Sequence, residues 1–178
     1  MEDKVILVDA ADRVVGTMDK MEAHLEGALH RAFSVFVFNS KNELLLQQRA
    51  FEKYHSGGKW TNTCCSHPLP DEDTLSGAHR RLMEEMGMNC ELIYGFNFTY
   101  KAMFSNNLIE HEFDHVFFGR SDELPVPNPE EVAGYRYVGL AALKADVQAQ
   151  PDIYSAWLNE CLEKVIEFKN THDGILDC

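Results

Sequence analysis

The sequence predicts an α/β sandwich, with short strands grouped around one central helix and further helices closing the chain. Three observations carry this. Residues 31–39, 92–101 and 110–119 are rich in branched and aromatic side chains, as strands are. Residues 75–87 instead repeat apolar side chains at helical spacing, through Leu75, Ala78, Leu82 and Met86. A chain of 178 residues, 45% of them hydrophobic, holds enough apolar material for one core, so residues 1–178 are read as a single domain. Strands that flank one helix instead of alternating with several argue against a doubly wound sheet.

Each element follows from local chemistry. Residues 5–8 and 14–15 flank the polar pair Asp12-Arg13 and read as a hairpin. Residues 20–29 are weakly helical and broken by Gly27, whereas 31–39 and 43–48 form a second hairpin about the Asn39-Ser40-Lys41-Asn42 turn. A loop at 55–59 leads into a short strand at 60–65, and His67-Pro68-Leu69-Pro70 is a loop again. Thr74 is the expected N-cap of a helix to about Met86, with Gly87 closing it. Strands are expected at 92–101, 110–119 and 135–138, with an irregular Pro-rich linker at 124–129. Helices at 140–147 and 153–168 finish the chain. No internal repeat or low-complexity segment is present.

The net charge of −13 argues against nucleic acid or an anionic membrane surface as a partner. Apolar runs such as 32–38 are too short to cross a bilayer, and no secretory signal opens the chain. Five cysteines, two of them adjacent, suit a reducing cytoplasm better than a disulfide framework. Cys178 is the last residue, so a prenylation box is absent. Arg49, Lys53, Lys59, Arg80 and Arg81 cluster mid-chain against the global sign, which suits either an anion site or a solvated mixed-charge surface.

The chemistry concentrates in Trp60-Thr61-Asn62-Thr63-Cys64-Cys65-Ser66-His67-Pro68 and the helix after it. Cys64 and Cys65 alternate along a strand, so only one faces a site, and Cys90 and Cys161 read as buried small residues. Glu110 and Glu112, two apart on a strand, share a face with Asp114, while His111 turns away. His24, His30 and His67 with these two glutamates make a mixed N/O donor set that fits a six-coordinate divalent ion better than tetrahedral zinc. His55, His79, His115 and His172 have no matching partners and read as ordinary surface or core residues.

Residues 66–88 resemble the Nudix box, G-x5-E-x7-R-E-U-x-E-E-x-G-U with U aliphatic. Glu72, Arg80, Leu82, Glu84, Glu85, Gly87 and Met88 match, whereas Ser66 replaces the glycine and Arg81 the first glutamate of the Arg-Glu pair. The plainer alternative is a surface helix with Arg80–Glu84 and Arg81–Glu85 pairs, each worth a few tenths of about 1 kcal/mol. The departures, with His24…His30-Arg31-Ala32-Phe33-Ser34, Arg49…Lys53, Trp60-Thr61-Asn62…Cys65-Ser66-His67-Pro68, Glu110-His111-Glu112 and Tyr154-Ser155-Ala156-Trp157, make the chain similar to the type 1 isopentenyl-diphosphate isomerases over about residues 5–157.

That resemblance implies a Nudix-type α/β/α sandwich with a mixed sheet and extra terminal elements. It implies a double-bond shift between isopentenyl and dimethylallyl diphosphate through a tertiary carbocation. It assigns His24, His30, His67, Glu110 and Glu112 to a Mn2+ or Mg2+ ion, and Glu85 to a Mg2+ that arrives with the diphosphate. Cys65 and Glu112 become the acid and base pair, Tyr100 the assistant of the glutamate, and Trp157 the aromatic face for the cation. Lys20, Arg49, Lys53 and Arg81 become the diphosphate contacts. A Cys65 pKa lowered by the nearby metal or cations is expected. Two rival readings are a Nudix diphosphohydrolase of a nucleotide or other diphosphate, and a metal- or phosphate-binding module without catalysis; neither accounts for the pairing of Cys65 with Trp157.

Overall fold

The computed structural model describes residues 4–172, and Cys178 lies outside them. Strands β1 (Lys4–Val8) and β2 (Val14–Asp19) form the first hairpin. Asp19 then caps helix α1 (Lys20–Glu26) by accepting from the Met21 and Glu22 amides, and Gly27 ends it at a φ of 66°. Positive φ at that point is the reason for a glycine. Residues 20–29 thus hold a short, properly terminated helix.

The second hairpin is where sequence and structure part. Strand β3 (His30–Phe38) and strand β4 (Glu43–Arg49) meet only at Phe38 and Leu44. Beyond that pair they splay. The expected strand at 60–65 is in fact two pieces, β5 (Trp60–Thr61) on β4 and β6 (Cys64–Ser66) on β3. Asn62 and Thr63 cross the gap and satisfy the backbone groups that splaying frees. Thr63 Oγ1 donates to Leu45 O at 2.7 Å and accepts from Val37 N at 2.9 Å. Asn62 Nδ2 donates to Val35 O and Cys64 O.

Helix α2 (Thr74–Met86) is capped by Asp73, one residue before the expected Thr74, because the Asp73 carboxylate accepts from the Ser76 amide at 3.0 Å. Gly87, at a φ of 63°, ends it as anticipated. Strands β7 (Leu92–Met103) and β8 (Ile109–Arg120) form a long hairpin, and β8 runs parallel to β3 along its whole length. Strand β9 (Val132–Gly139) covers the outer edge of β4, followed by α3 (Leu140–Ala149). The predicted helix at 153–168 begins later than expected. Pro151–Ile153 is a 3-10 turn, and Ser155 caps α4 (Ala156–Thr171).

Among the described residues, nine strands make one mixed sheet. Strand β3 alternates its apolar side chains between two cores. Phe36 and Phe38 face Leu143 of α3 and Leu158, Leu162 and Val165 of α4. Phe33, Val35 and Val37 face Ala78, Leu82 and Met86 of α2. That is the α/β/α layering. No helix among the described residues is long and apolar enough to cross a membrane.

Candidate active site

The parallel β3–β8 ladder sets His30 beside Glu112, and the β7–β8 ladder sets Tyr100 opposite it. α1 delivers His24 and the loop after β6 delivers His67. His24, His30, His67 and Glu112 each present one donor atom, all within 4.8 Å of one another. Six donors at about 2.1 Å from an ion lie about 3–4.2 Å apart, so this group is the right size for a divalent cation. Glu110 belongs to a second such group, with His24 and His55. His111 turns away to Gly27 O, as expected of the residue between them. Asp114 shares the glutamates' face, yet it accepts from Ser34 Oγ at 2.8 Å and joins neither group.

The imidazoles are in the form a metal needs. His24 Nδ1 donates to Lys20 O at 2.6 Å and His30 Nδ1 to Ala28 O at 2.8 Å, which leaves both buried Nε2 atoms with lone pairs and no hydrogen-bond partner. Backbone carbonyls that fix the tautomer in this way are the usual support of histidine ligands. Burial lowers the pKa of His24 and takes that of His67 down to about 4, so both are neutral at neutral pH. Burial also disfavours the Glu112 carboxylate, but the adjacent His30 and His67 rings, whose Nε2 atoms lie 3.6 and 2.9 Å from its Oε1, outweigh it and hold its pKa well below the usual range. Burial and the charge of Glu112 push Glu110 the other way. A cation between them would let both ionise.

Tyr100 joins the two acids from behind, its hydroxyl lying 2.7 Å from Glu112 Oε2 and 3.0 Å from Glu110 Oε2. Glu112 divides its oxygens: Oε1 lies 2.9 Å from His67 Nε2, and Oε2 belongs to Tyr100.

Cys65 and Trp157 line the same cleft as Glu112 and Tyr100. Two separated sequence motifs meet to set the indole. Ser155 N donates to Trp60 O, Ser155 Oγ lies 2.8 Å from Thr61 Oγ1, and Thr61 Oγ1 donates to Asn62 Oδ1. Trp157 Nε1 donates to that same Asn62 Oδ1 at 2.9 Å, so the ring cannot turn without breaking a buried bond. The Arg49 guanidinium sits 5.2 Å from the ring centroid and 3.9 Å from Cys65 Sγ. The expected low pKa of Cys65 does not hold: burial pushes its thiol well up, and Arg49 offsets only part of this. Cys64 faces the other way, into the core beneath α2.

The cleft encloses about 570 Å³ including its opening to solvent, and Lys20, Lys53, Arg81 and Glu85 also line it. Arg81 pairs with Glu85 at 2.7 Å and Glu131 at 3.2 Å, and Lys53 with Glu131. Burial works against the Arg81 charge, but Glu85 and Glu131 hold its pKa above the ordinary value. Glu85 also accepts from Gln47 Nε2 at 2.9 Å, outside both histidine groups. Arg80 is held by Glu72 at 2.8 Å and lines the outer rim, whereas Lys59 of the expected basic cluster does not line the cleft. Three residues were missed in the sequence. His55, read there as ordinary, is buried against Glu110 at 3.2 Å. Gln47 and Glu131 carry no local motif and are found only through strand pairing.

A mixed sheet whose box helix locks Glu72 to Arg80 and carries Glu85 to a cleft defines a class, the Nudix domain, whose family model matches residues 28–158. A Deinococcus radiodurans structure shares the fold at a TM-score of 0.76 and 19% identity, over 90% of this chain and 98% of its own. A MutT protein of Methanosarcina mazei does so at 0.66 and 18%, over 81% and 95%. Curated relatives narrow the class. Isopentenyl-diphosphate Delta-isomerase 2 of Aromatoleum aromaticum is 55% identical over 170 residues, 96% of this chain and 90% of its own. The isopentenyl-diphosphate Delta-isomerase of Pectobacterium atrosepticum is 49% identical over 165 residues, covering 93% and 92%. Within the Nudix domain proteins, the chain belongs to the isopentenyl-diphosphate Delta-isomerase family.

Proposed function

We propose that this protein interconverts isopentenyl diphosphate and dimethylallyl diphosphate by protonation and deprotonation. The observation that carries the reading is the meeting of a thiol, a buried indole and a carboxylate–tyrosine pair in one cleft also lined by Lys20, Arg49, Lys53 and Arg81. The Cys65 thiol adds its proton to the terminal alkene carbon, leaving a tertiary cation on the neighbouring carbon. Glu112 Oε2 takes a proton from the carbon on the diphosphate side, and the double bond forms there. One proton enters and one leaves. Cys65 ends as thiolate and Glu112 as acid, and exchange with solvent restores the pair. The raised pKa of Cys65 suits a donor, and Tyr100 steadies the oxygen that accepts. Trp157 offers its π face to the cation, a contribution of about 2 kcal/mol when desolvated.

Arg49, Lys53, Arg81 and Lys20 are assigned to the diphosphate, with Glu131 the carboxylate it displaces from two of them. His24, His30, His67, Glu110 and Glu112 are assigned to Mn2+ or Mg2+, and Glu85 to a Mg2+ accompanying the substrate. The bound cation supplies positive charge that keeps both glutamates ionised. Incubation of isopentenyl diphosphate with the protein in deuterated water tests this by proton NMR. Deuterium should enter dimethylallyl diphosphate with no phosphate released; phosphate release without deuterium entry would mean a hydrolase.

A further inference from the structure

We infer that Glu131 is an internal rival to the substrate's diphosphate: it holds Lys53 and Arg81 while the cleft is empty and recaptures them as product leaves. The inference rests on the diphosphate reading above and deepens it. One carboxylate oxygen of Glu131 accepts from Lys53 Nζ, and the other lies 3.2 Å from Arg81 Nη2. Two of the four cations assigned to the substrate are thus already paired from within the chain. A diphosphate that reaches them exchanges one anion for another, so its affinity is a difference between two pairings.

Glu131 is the carboxylate placed to yield. Arg81 also meets Glu84 at 2.8 Å and Glu85 at 2.7 Å. Glu85 is buried and held from a second side by Gln47, and Glu84 lines neither the cleft nor its outer rim. Glu131 makes the longest of the three contacts. It lines both the cleft and the rim, and its side chain is 21% exposed, so a released carboxylate meets water. Its backbone is held without the carboxylate. Glu131 N donates to Asn128 O at 3.0 Å, and Ala50 N donates to Glu131 O at 2.9 Å. The side chain can therefore leave while the turn stays. Substrate and product carry the same diphosphate, so grip on that group binds both alike and slows release without helping the chemistry. A carboxylate that recaptures Lys53 and Arg81 limits this grip.

The test titrates the full chain with inorganic diphosphate alone. Glu131→Gln keeps the side chain's shape and removes its charge, and it should bind diphosphate about tenfold more tightly, with the gain in slower dissociation. Its affinity should also fall more steeply with salt than the wild type's. The wild type swaps an internal anion for the ligand, whereas the variant pairs cations that lack one. With isopentenyl diphosphate, KM should fall and kcat should not rise. Unchanged or weaker diphosphate binding in Glu131→Gln would overturn the inference and make Glu131 a strut that holds Lys53 and Arg81 in place. Glu131→Ala removes strut and charge together, and it should still bind at least as tightly as the wild type; weaker binding in a variant with a normal melting midpoint would again mean a strut. Tighter diphosphate binding in Glu131→Gln with no isomerisation by the wild type would spare this inference and sink the isomerase reading. Isomerisation with unchanged diphosphate binding would do the reverse.

Discussion

Cys65 and Cys64 are adjacent in the chain and belong to different layers of the molecule. The pleat sends Cys65 to the cleft beside Arg49 and Cys64 into the apolar contacts of α2. Cys65→Ala should lower turnover by about 10²–10⁴ with little change in melting. Cys64→Ala should lower the melting midpoint and leave turnover within a few-fold. Equal turnover losses would mean the two faces are exchanged. Trp157 calls for a graded series, because its indole both faces the cleft and bonds to Asn62. Turnover per folded molecule should fall in the order Trp, Phe, Leu, since Phe keeps a weaker π face and Leu keeps none. Phe and Leu should both destabilise, each losing the Trp157 hydrogen bond to Asn62 Oδ1 at about 0.5–1.5 kcal/mol, while Thr61 Oγ1 still donates to that oxygen. Normal turnover in folded Trp157→Leu would remove the ring from the chemistry.

At the scale of elements, what was legible follows from how local each signal is. α2 could be read because its stripe, its cap region and Gly87 lie within one stretch of chain, and even there the cap proved to be Asp73 and not Thr74. The splay of β3 from β4 could not be read, since it depends on Thr63 bonding to Leu45 and Val37 across the gap. The helix start at Ser155 depends on a bond to Trp60, far back in the chain. Glu72 and Arg80 make the clearest element-scale prediction. The Arg80 hydrogen bond lowers the Glu72 pKa from an ordinary 4.5, with burial opposing it. A lowered folded pKa gives stability that is present above the unfolded value and lost as pH falls through the folded one. Glu72→Gln should therefore melt earlier at pH 7, by about 1 kcal/mol for a partly exposed pair, and the gap should narrow as pH falls below the ordinary carboxylate value and close below the folded pKa. A gap that persists there would mean the pair holds α2 by shape and not by charge.

For the whole molecule, the problem is charge. The chain carries −13, yet one cleft gathers Lys20, Arg49, Lys53 and Arg81 together with the buried Glu110 and Glu112. The basic set was legible as charge against trend. The acidic set was legible only as a pattern of residue types, because nothing local brings α1, β3, β8 and the loop at His67 together. His55 shows the limit: it follows Lys53 by two residues, but only the fold turns it toward Glu110. Two ionised carboxylates sharing Tyr100 in a buried place oppose folding, and a cation there converts that opposition into stability. Mn2+ at about 100 times its Kd should raise stability by about 2.7 kcal/mol, which for a domain of this size is about 5–10 °C in melting midpoint. The rise should grow with the logarithm of Mn2+ concentration, vanish with chelator and be largely lost in His67→Asn, whose isomerisation should fail with it. Inorganic diphosphate alone should shift the midpoint in a salt-dependent way that His67→Asn keeps, because the charges assigned to it are those of Lys20, Arg49, Lys53 and Arg81 and not of His67. A Mn2+ response equal in His67→Asn and wild type would place the cation elsewhere on this acidic surface.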